Sequence, residues 1–233
     1  NEGAYNGLLV NIDLAPFTLT FKLALTATAI LCLVGVPVAY ACAFTKRKWK
    51  YIVEPLISMP LVLPPTVLGF YLLVFFSPNS FLGDFLATKL NINVVFSFLG
   101  LVIGSALFSF PFMVNPIRAG LESLPPSLME ASYTLGKSRW ETLLKVILPN
   151  IKPSLLTGIV MAFAHTVGEF GVVLMLGGSI PGETRTVSIA IFSEVEALNY
   201  ATASIYSGIL FVISFVVLFI LNIINKKWLS VFR

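Results

Sequence analysis

RAGLESLPPSLMEASYTLGKSRWETLLKVILPNIK, residues 118–152, is a polar interlude between two long apolar runs. Within it, Pro125 and Pro126 followed by Ser127 mark a helix start and Gly136 after SLMEASYTL marks its stop. Proline suits a first helical turn, and glycine tolerates the left-handed conformation just past a last one. Ser138 and Glu141 have the S-x-x-E spacing of a capping box and predict a second helix. Leu148-Pro149 is expected to close it, because proline restricts the residue before it and has no N–H to continue the ladder. The stretch reads as two short helices joined by a bend, a loop suited to docking.

The flanking runs set the fold class. Hydrophobic residues make up 57% of the 233-residue chain and charged residues 11%, whereas soluble domains are roughly half apolar and a quarter charged. An all-α integral membrane protein follows, with lipid as its surroundings. Five runs are long and apolar enough to cross a bilayer: 17–44, 52–76, 94–117, 153–176 and 201–224. They predict one membrane domain over 17–224, an extracytoplasmic or interfacial segment 1–16 and a cytoplasmic tail 225–233. The first residues, with acidic Glu2 and Asp13, lack the pattern of a secretory signal and read as a mature or uncleaved end.

Charge orients the bundle. Lys46, Arg47, Lys48 and Lys50 follow the first run; Arg118, Lys137, Arg139, Lys145 and Lys152 lie in the 118–152 loop; Lys226, Lys227 and Arg233 lie in the tail. Only Lys22, Lys89 and Arg185 of the fifteen basic residues fall elsewhere. By the positive-inside rule those three basic segments are cytoplasmic, so an odd number of spans with the N-terminus outside and the C-terminus inside fits every loop. The same placement explains the net charge of +4 without nucleic acid.

Several chemistries are excluded. Cys32 and Cys42, ten residues apart on one predicted helix, stand about 15 Å apart, too far for a disulfide. His165 has no second metal ligand near it in sequence, so no metal site is expected. Gly136-Lys137-Ser138 imitates the end of a phosphate-binding loop, but the position of its first glycine holds Ala131 and no strand precedes it. No nucleophile elbow, zinc-protease motif or carboxylate pair is present, and no catalytic residue is expected.

The spacing Glu130-Ala131-Ser132, Gly136 and then Val146-Ile147-Leu148-Pro149 resembles the E-A-A motif of the membrane subunits of ATP-binding-cassette importers, with Ser132 for the second alanine and Val146 for the usual isoleucine. The resemblance implies that Glu130, Ala131, Ser132, Gly136, Leu148 and Pro149 couple the membrane helices to a cytoplasmic ATPase subunit, and the orientation read from charge puts this loop on the ATP side. Met59 to Gly69, MPLVLPPTVLG, is similar to a proline-rich segment of molybdate permeases. Gly168-Glu169-Phe170-Gly171 followed by Pro181-Gly182-Glu183-Thr184-Arg185-Thr186 looks like the molybdate-permease form of that region, whereas sulfate permeases share only the first part.

Prolines at 55, 60, 64 and 65 interrupt the second run, which lipid tolerates only where freed backbone groups find protein or water. Pro64 and Pro65 are therefore pathway candidates as well as a kink for packing. Gly100 and Gly104 have the G-x-x-x-G spacing of close helix approach. His165 and Glu169 are four residues apart, on one face of a continuous fourth helix, with Glu169 about 24 Å from its cytoplasmic end. Intramembrane ionisable residues are functional candidates by default; Glu169 reads as a gate, or as a lock between helices. Gly177-Gly178 permit the chain to fold back so that Arg185 approaches Glu169.

Taken with the resemblance, these residues describe a type I importer permease, most simply for molybdate, acting as a homodimer with two ATPase subunits and an extracytoplasmic oxyanion-binding protein. ATP-Mg is used by the partner, and no cofactor is expected on this chain. The resemblance implies a bacterial or archaeal plasma membrane. Sulfate and tungstate are alternative cargoes. A secondary transporter is the rival class, disfavoured by the lack of an internal repeat and of a cation partner for Glu169. Lys48→Cys and Ser138→Cys are expected to react only with thiol reagents that reach the cytoplasm, and Gly182→Cys only from outside; cytoplasm-only labelling at position 182 overturns the topology.

Overall fold

A computed structural model of the chain describes residues 12–45 and 47–230, with the side chains of 221, 222 and 224–230 excepted. Glu2, Lys46 and Arg233, and most of segment 1–16, lie outside the described residues. Every regular element among the described residues is helical: α1 Ala15–Phe44, α2 Lys50–Ser58 ending in a 3₁₀ turn Met59–Leu61, α3 Pro65–Phe76, α4 Phe81–Leu90 and α5 Phe98–Glu122. There follow α6 Pro126–Thr134, α7 Arg139–Thr142, a π turn Leu143–Ile147, α8 Leu148–Asn150, α9 Lys152–Gly168, α10 Gly171–Gly177, α11 Val187–Glu196 and α12 Tyr200–Ser230.

Three helices are long and apolar enough to cross a membrane singly: Ala15–Phe44, Phe98–Glu122 and Tyr200–Ile220. Two bent pairs raise the count to five if each is one crossing: Lys50–Leu61 with Pro65–Phe76, bent by 109°, and Arg139–Asn150 with Lys152–Gly168, bent by 74°. The first bend falls where Pro60, Pro64 and Pro65 remove three N–H donors from one stretch.

α1, α5 and α9 form the centre. Leu23 packs with Leu101, and Gly35 lies against Met113, so α1 and α5 run in the same direction. Gly120 meets Ser154 while Gly158 meets Met113, so α9 runs antiparallel to α5. Leu31, Ala39 and Cys42 of α1, Met113, Ile117 and Leu121 of α5 and Ala162 of α9 share one buried cluster with Ile147 and Ile151. The base of the polar loop is thereby part of the membrane core. Phe17 packs on Tyr206 of α12, whose outer face leaves Phe211, Phe215 and Phe219 exposed, as a lipid-facing helix does.

Several boundaries differ from the sequence reading. The run 94–117 becomes helical only at Phe98, because Phe96 adopts φ 58° to donate its N–H to Leu176 O at 2.7 Å and Ser97 caps Gly100 N. The second short helix does not stop at Leu148-Pro149. The π turn shifts the hydrogen-bond register ahead of Pro149, Asn150 Nδ2 donates to Val146 O at 2.7 Å, and the bend comes at Ile151. The fourth run is not one helix. Glu169 is extended (φ −71°, ψ 138°), so α9 and α10 are separate and the His165–Glu169 shared face and helical depth do not hold. At seventeen residues, α9 spans about 25 Å, short of the roughly 30 Å hydrocarbon core, and α10 continues the course. α4 and α11 are too short to read as spans and were not foreseen.

The two broken regions meet. A Cβ on Gly171 comes 2.7 Å from Pro65 Cβ and 3.4 Å from Thr66 N, and one on Gly69 comes 2.8 Å from Met175 Cβ, so α3 and α10 touch backbone to backbone. Gly171→Ala is expected to destabilise by about 1–3 kcal/mol, since a proline ring and main chain cannot yield, and to lower the thermal midpoint in detergent. Gly168→Ala, whose Cβ meets nothing within 4 Å, is the matched control and is expected to leave it unchanged; equal midpoints for the two variants count against the close contact.

Candidate functional site

The 118–152 loop builds a compact module. Pro125 is extended and Pro126 opens α6. Gly136 at φ 75° ends it, with its N–H on Tyr133 O at 2.9 Å and that of Lys137 on Ser132 O at 3.1 Å. The capping box is formed: Glu141 N donates to Ser138 Oγ at 3.2 Å and Ser138 N to Glu141 Oε2 at 3.4 Å. Lys145 and Lys137 also reach Glu141, at 3.1 and 3.5 Å. The hydrogen bond from Lys145, then that from Ser138, holds the Glu141 carboxyl below its usual range. The box is therefore complete at neutral pH and loosens only as pH falls through that lowered value.

Ser132, at the position of the second alanine, is buried, and its hydroxyl lies 2.9 Å from that of the fully buried Thr142. This pair pins α6 to α7. The opposite surface is open: Glu130, Ala131 and Gly136 are exposed, as are Tyr133, Leu135, Trp140 and Leu144. Leu148 and Pro149 are half-buried at the base. At the root of the module, Glu54 of α2 receives Arg118 at 2.8 Å and Lys50 at 3.3 Å, and Lys50 also reaches Glu122 at 3.1 Å.

Inside the membrane region, His165 is half-buried and stacked on Phe112 at 4.1 Å, beside Phe108 at 4.9 Å. Its Nδ1 lies 2.9 Å from Ser109 Oγ, which also meets Thr166 Oγ1 at 2.9 Å. His165 is thus a satisfied contact between α9 and α5. Glu169 points elsewhere: it is 5% exposed, its carboxylate oxygens have no hydrogen-bond donor, and its nearby polar neighbour is the unpaired Ser105 hydroxyl. Phe170 packs on Phe192 at 4.9 Å. Pro64 and Pro65 are exposed on the protomer, opposite the buried Gly171.

The run 181–186 is a turn stitched to its neighbours. Thr184 Oγ1 donates to Gly177 O at 2.6 Å and accepts from Ile180 N at 3.0 Å; Thr186 occupies the N-cap position of α11 without a side-chain cap bond, and Val187 N donates to Thr20 Oγ1 at 3.0 Å. Pro181 and Gly182 are exposed, and Glu183 borders a cavity of about 870 Å³ between α3, α4 and residues 92–97. Arg185 does not meet Glu169 here, as the fold-back reading expected; its Nη2 is 3.7 Å from Glu194 Oε1. Sequence reasoning missed Ser109, Thr166, Thr142 and Glu194. The first three are hydroxyls that nothing in a linear pattern pairs across helices, and Glu194 lies on the unforeseen α11.

Residues 35–230 match the family described as the binding-protein-dependent transport system inner membrane component. The chain is 44% identical over 210 residues to the molybdenum transport system permease protein ModB of Azotobacter vinelandii, covering 90% of this chain and 92% of that one. It is 31% identical over 214 residues to the sulfate transport system permease protein CysT of Escherichia coli (strain K12), covering 92% and 77%. Among solved structures, an inward-facing conformation of the MetNI methionine ABC transporter superposes with a TM-score of 0.71 at 16% identity, over 91% of this chain and 94% of that one, a likeness of fold alone.

Removing one hydroxyl of the Ser132–Thr142 pair leaves the other buried without its partner, a loss of about 1–3 kcal/mol. Ser132→Ala is expected to raise hydrogen exchange across 126–150 without affecting α1 or α5, and Ser132→Ala with Thr142→Val to recover part of that protection. Unchanged exchange in the single variant removes the pin.

Proposed function

Because the chain belongs to the family of binding-protein-dependent transport system inner membrane components, we propose that it is the membrane-spanning subunit of an ATP-driven importer carrying a tetrahedral oxyanion, molybdate first, into the cytoplasm. The observation that carries the reading is the two-helix module at 126–150, pinned from within by Ser132 and Thr142 and open on its far side. Exposed Tyr133, Leu135, Trp140 and Leu144 offer apolar anchors to an ATPase subunit, the kind of patch that marks a protein partner. The 44% identity to a molybdenum permease supports molybdate over sulfate, and tungstate stays with molybdate as a cargo of the same shape and charge.

The rest of the complex follows from what this chain presents. Tyr51, Ile52, Leu56 and Val62 form an exposed apolar face along α2 and the break after it that supports a second copy of the chain, with the pathway between the copies. Two ATPase subunits use ATP-Mg, and an extracytoplasmic binding protein delivers the anion and does most of the discrimination. Motion begins at the module. Ile147 and Ile151 join its base to the α1, α5 and α9 core, so displacement of α6 to α8 tilts α9. The tilt reaches the Glu169–Phe170 break, where Gly171 bears on Pro65 of the other broken span. A ligand-biased two-state switch needs only that linkage.

Reconstituted with its ATPase and binding protein, the chain is expected to take up molybdate only with ATP; uptake driven without ATP favours the secondary transporter. Glu130→Lys and Gly136→Trp are expected to lower ATP-coupled uptake by tenfold or more on the order expected for a lost interface anchor, with the spans still folded. At position 136 the left-handed backbone adds about 1–2 kcal/mol of strain for any side chain. Normal uptake in both variants removes the docking role.

A further inference from the structure

Two ionisable side chains near the α9–α10 break each lack part of their pairing. Both carboxylate oxygens of Glu169 are buried with no donor, and Arg185 Nε is buried with no acceptor. The remaining contact of Arg185, Nη2 to Glu194 Oε1 at 3.7 Å, is longer than a charge-assisted hydrogen bond, which runs about 2.7–2.9 Å. A buried polar atom without a partner is costly and asks for a reason. Here one group needs donors and the other needs acceptors.

Packing brings their elements together. Ser188 Oγ donates to the Glu169 carbonyl at 2.7 Å, and Phe192 packs on Phe170 at 4.9 Å. Ser188 and Phe192 are four residues apart, on one face of α11, so that face lies along the break. Arg185 is three residues before Ser188, in the turn just ahead of the cap Thr186. The break and the turn each contain a glycine, Gly168 and Gly182, around whose missing Cβ there is open space.

We propose that Arg185 exchanges partners during transport, from Glu194 in the conformation described here to Glu169 in the alternate one. The first turn of α11 then latches the α9–α10 break in one state only, and the latch biases the equilibrium by the difference in its contacts between the two states. Glu194 is the holding site that keeps the guanidinium paired while the latch is open. The device rests on the permease reading above, which ATP-dependent uptake by the unmodified complex tests independently.

The test uses the complete complex in proteoliposomes, with Cys32→Ser and Cys42→Ser as background. Arg185→Cys is combined with Glu194→Cys in one protein and with Glu169→Cys in another, and a short bifunctional thiol reagent is applied without nucleotide and after trapping with ATP and vanadate. The two pairs are expected to crosslink in opposite states, each several-fold more in its own. Equal crosslinking of 185 to 194 in both states, or no crosslink of 185 to 169 in either, overturns the exchange. Where a cysteine pair fails to assemble, Glu169→Gln and Arg185→Gln decide: a double variant less impaired in uptake than the two single losses combined supports the exchange, and strictly additive losses overturn it. Intact uptake with either negative result sinks the latch and leaves the permease reading standing.

Discussion

In hydrocarbon every backbone N–H and C=O must find a partner within the protein, and this chain interrupts its membrane helices at 62–64, at Ile151 and at 169–170. Each interruption frees groups that something must satisfy. Met59 O takes the N–H of both Val62 and Leu63, and Ser188 Oγ covers Glu169 O. Thr184 Oγ1 covers Gly177 O, Phe96 N reaches Leu176 O and Thr20 Oγ1 receives Val187 N. The hydroxyl side chains in the apolar helices are placed largely by this need. Thr184, a pathway candidate in the linear sequence, is occupied with the backbone instead, while the Thr186 hydroxyl lies 3.5 Å from Ser188 Oγ.

Much of the polar loop was legible because its signals are local. Pro125-Pro126, Gly136 and the Ser138/Glu141 box act within one turn of themselves, and the structure puts a helix start, a φ of 75° and a formed capping box at those places. Long apolar runs were legible for the same reason that lipid demands them. What failed depends on distance in sequence. Glu169 lies in an apolar stretch that reads as continuous helix, and only the contact of Gly171 with Pro65, more than a hundred residues away, shows why the chain breaks there. α11 is ten residues long and leaves no span-length signal. The π turn ahead of Pro149 shows the opposite error: proline removes a donor, but a register shift lets the helix continue to Asn150.

His165 and Glu169 show how one ambiguous pair divides. A histidine between two phenylalanines, with its Nδ1 on a serine hydroxyl, is a packing residue held by a polar contact. A carboxylate with neither oxygen paired has no such account. Replacing a satisfied network by apolar groups can be nearly neutral, whereas leaving a charge uncompensated is destabilising. Functional weight at this break therefore falls on Glu169, and the geometry of Ser109 and Thr166 explains why His165 can sit in the membrane region at all.

The same packing determines where the molecule can bend. Ile147 and Ile151 belong to the buried cluster that holds Leu31, Met113, Ile117 and Ala162, so the base of the two-helix module and the α1, α5 and α9 bundle are one close-packed body. Close-packed interiors transmit displacement instead of absorbing it. The helix breaks at 62–64 and 169–170 are different: Pro64, Pro65 and Gly168 are exposed, and α3 and α10 meet beside them where Gly171 bears on Pro65 and Gly69 on Met175. The two broken spans are joined at that seam, because a gap of even one methyl group at Gly171 would forfeit the contact that α3 and α10 share.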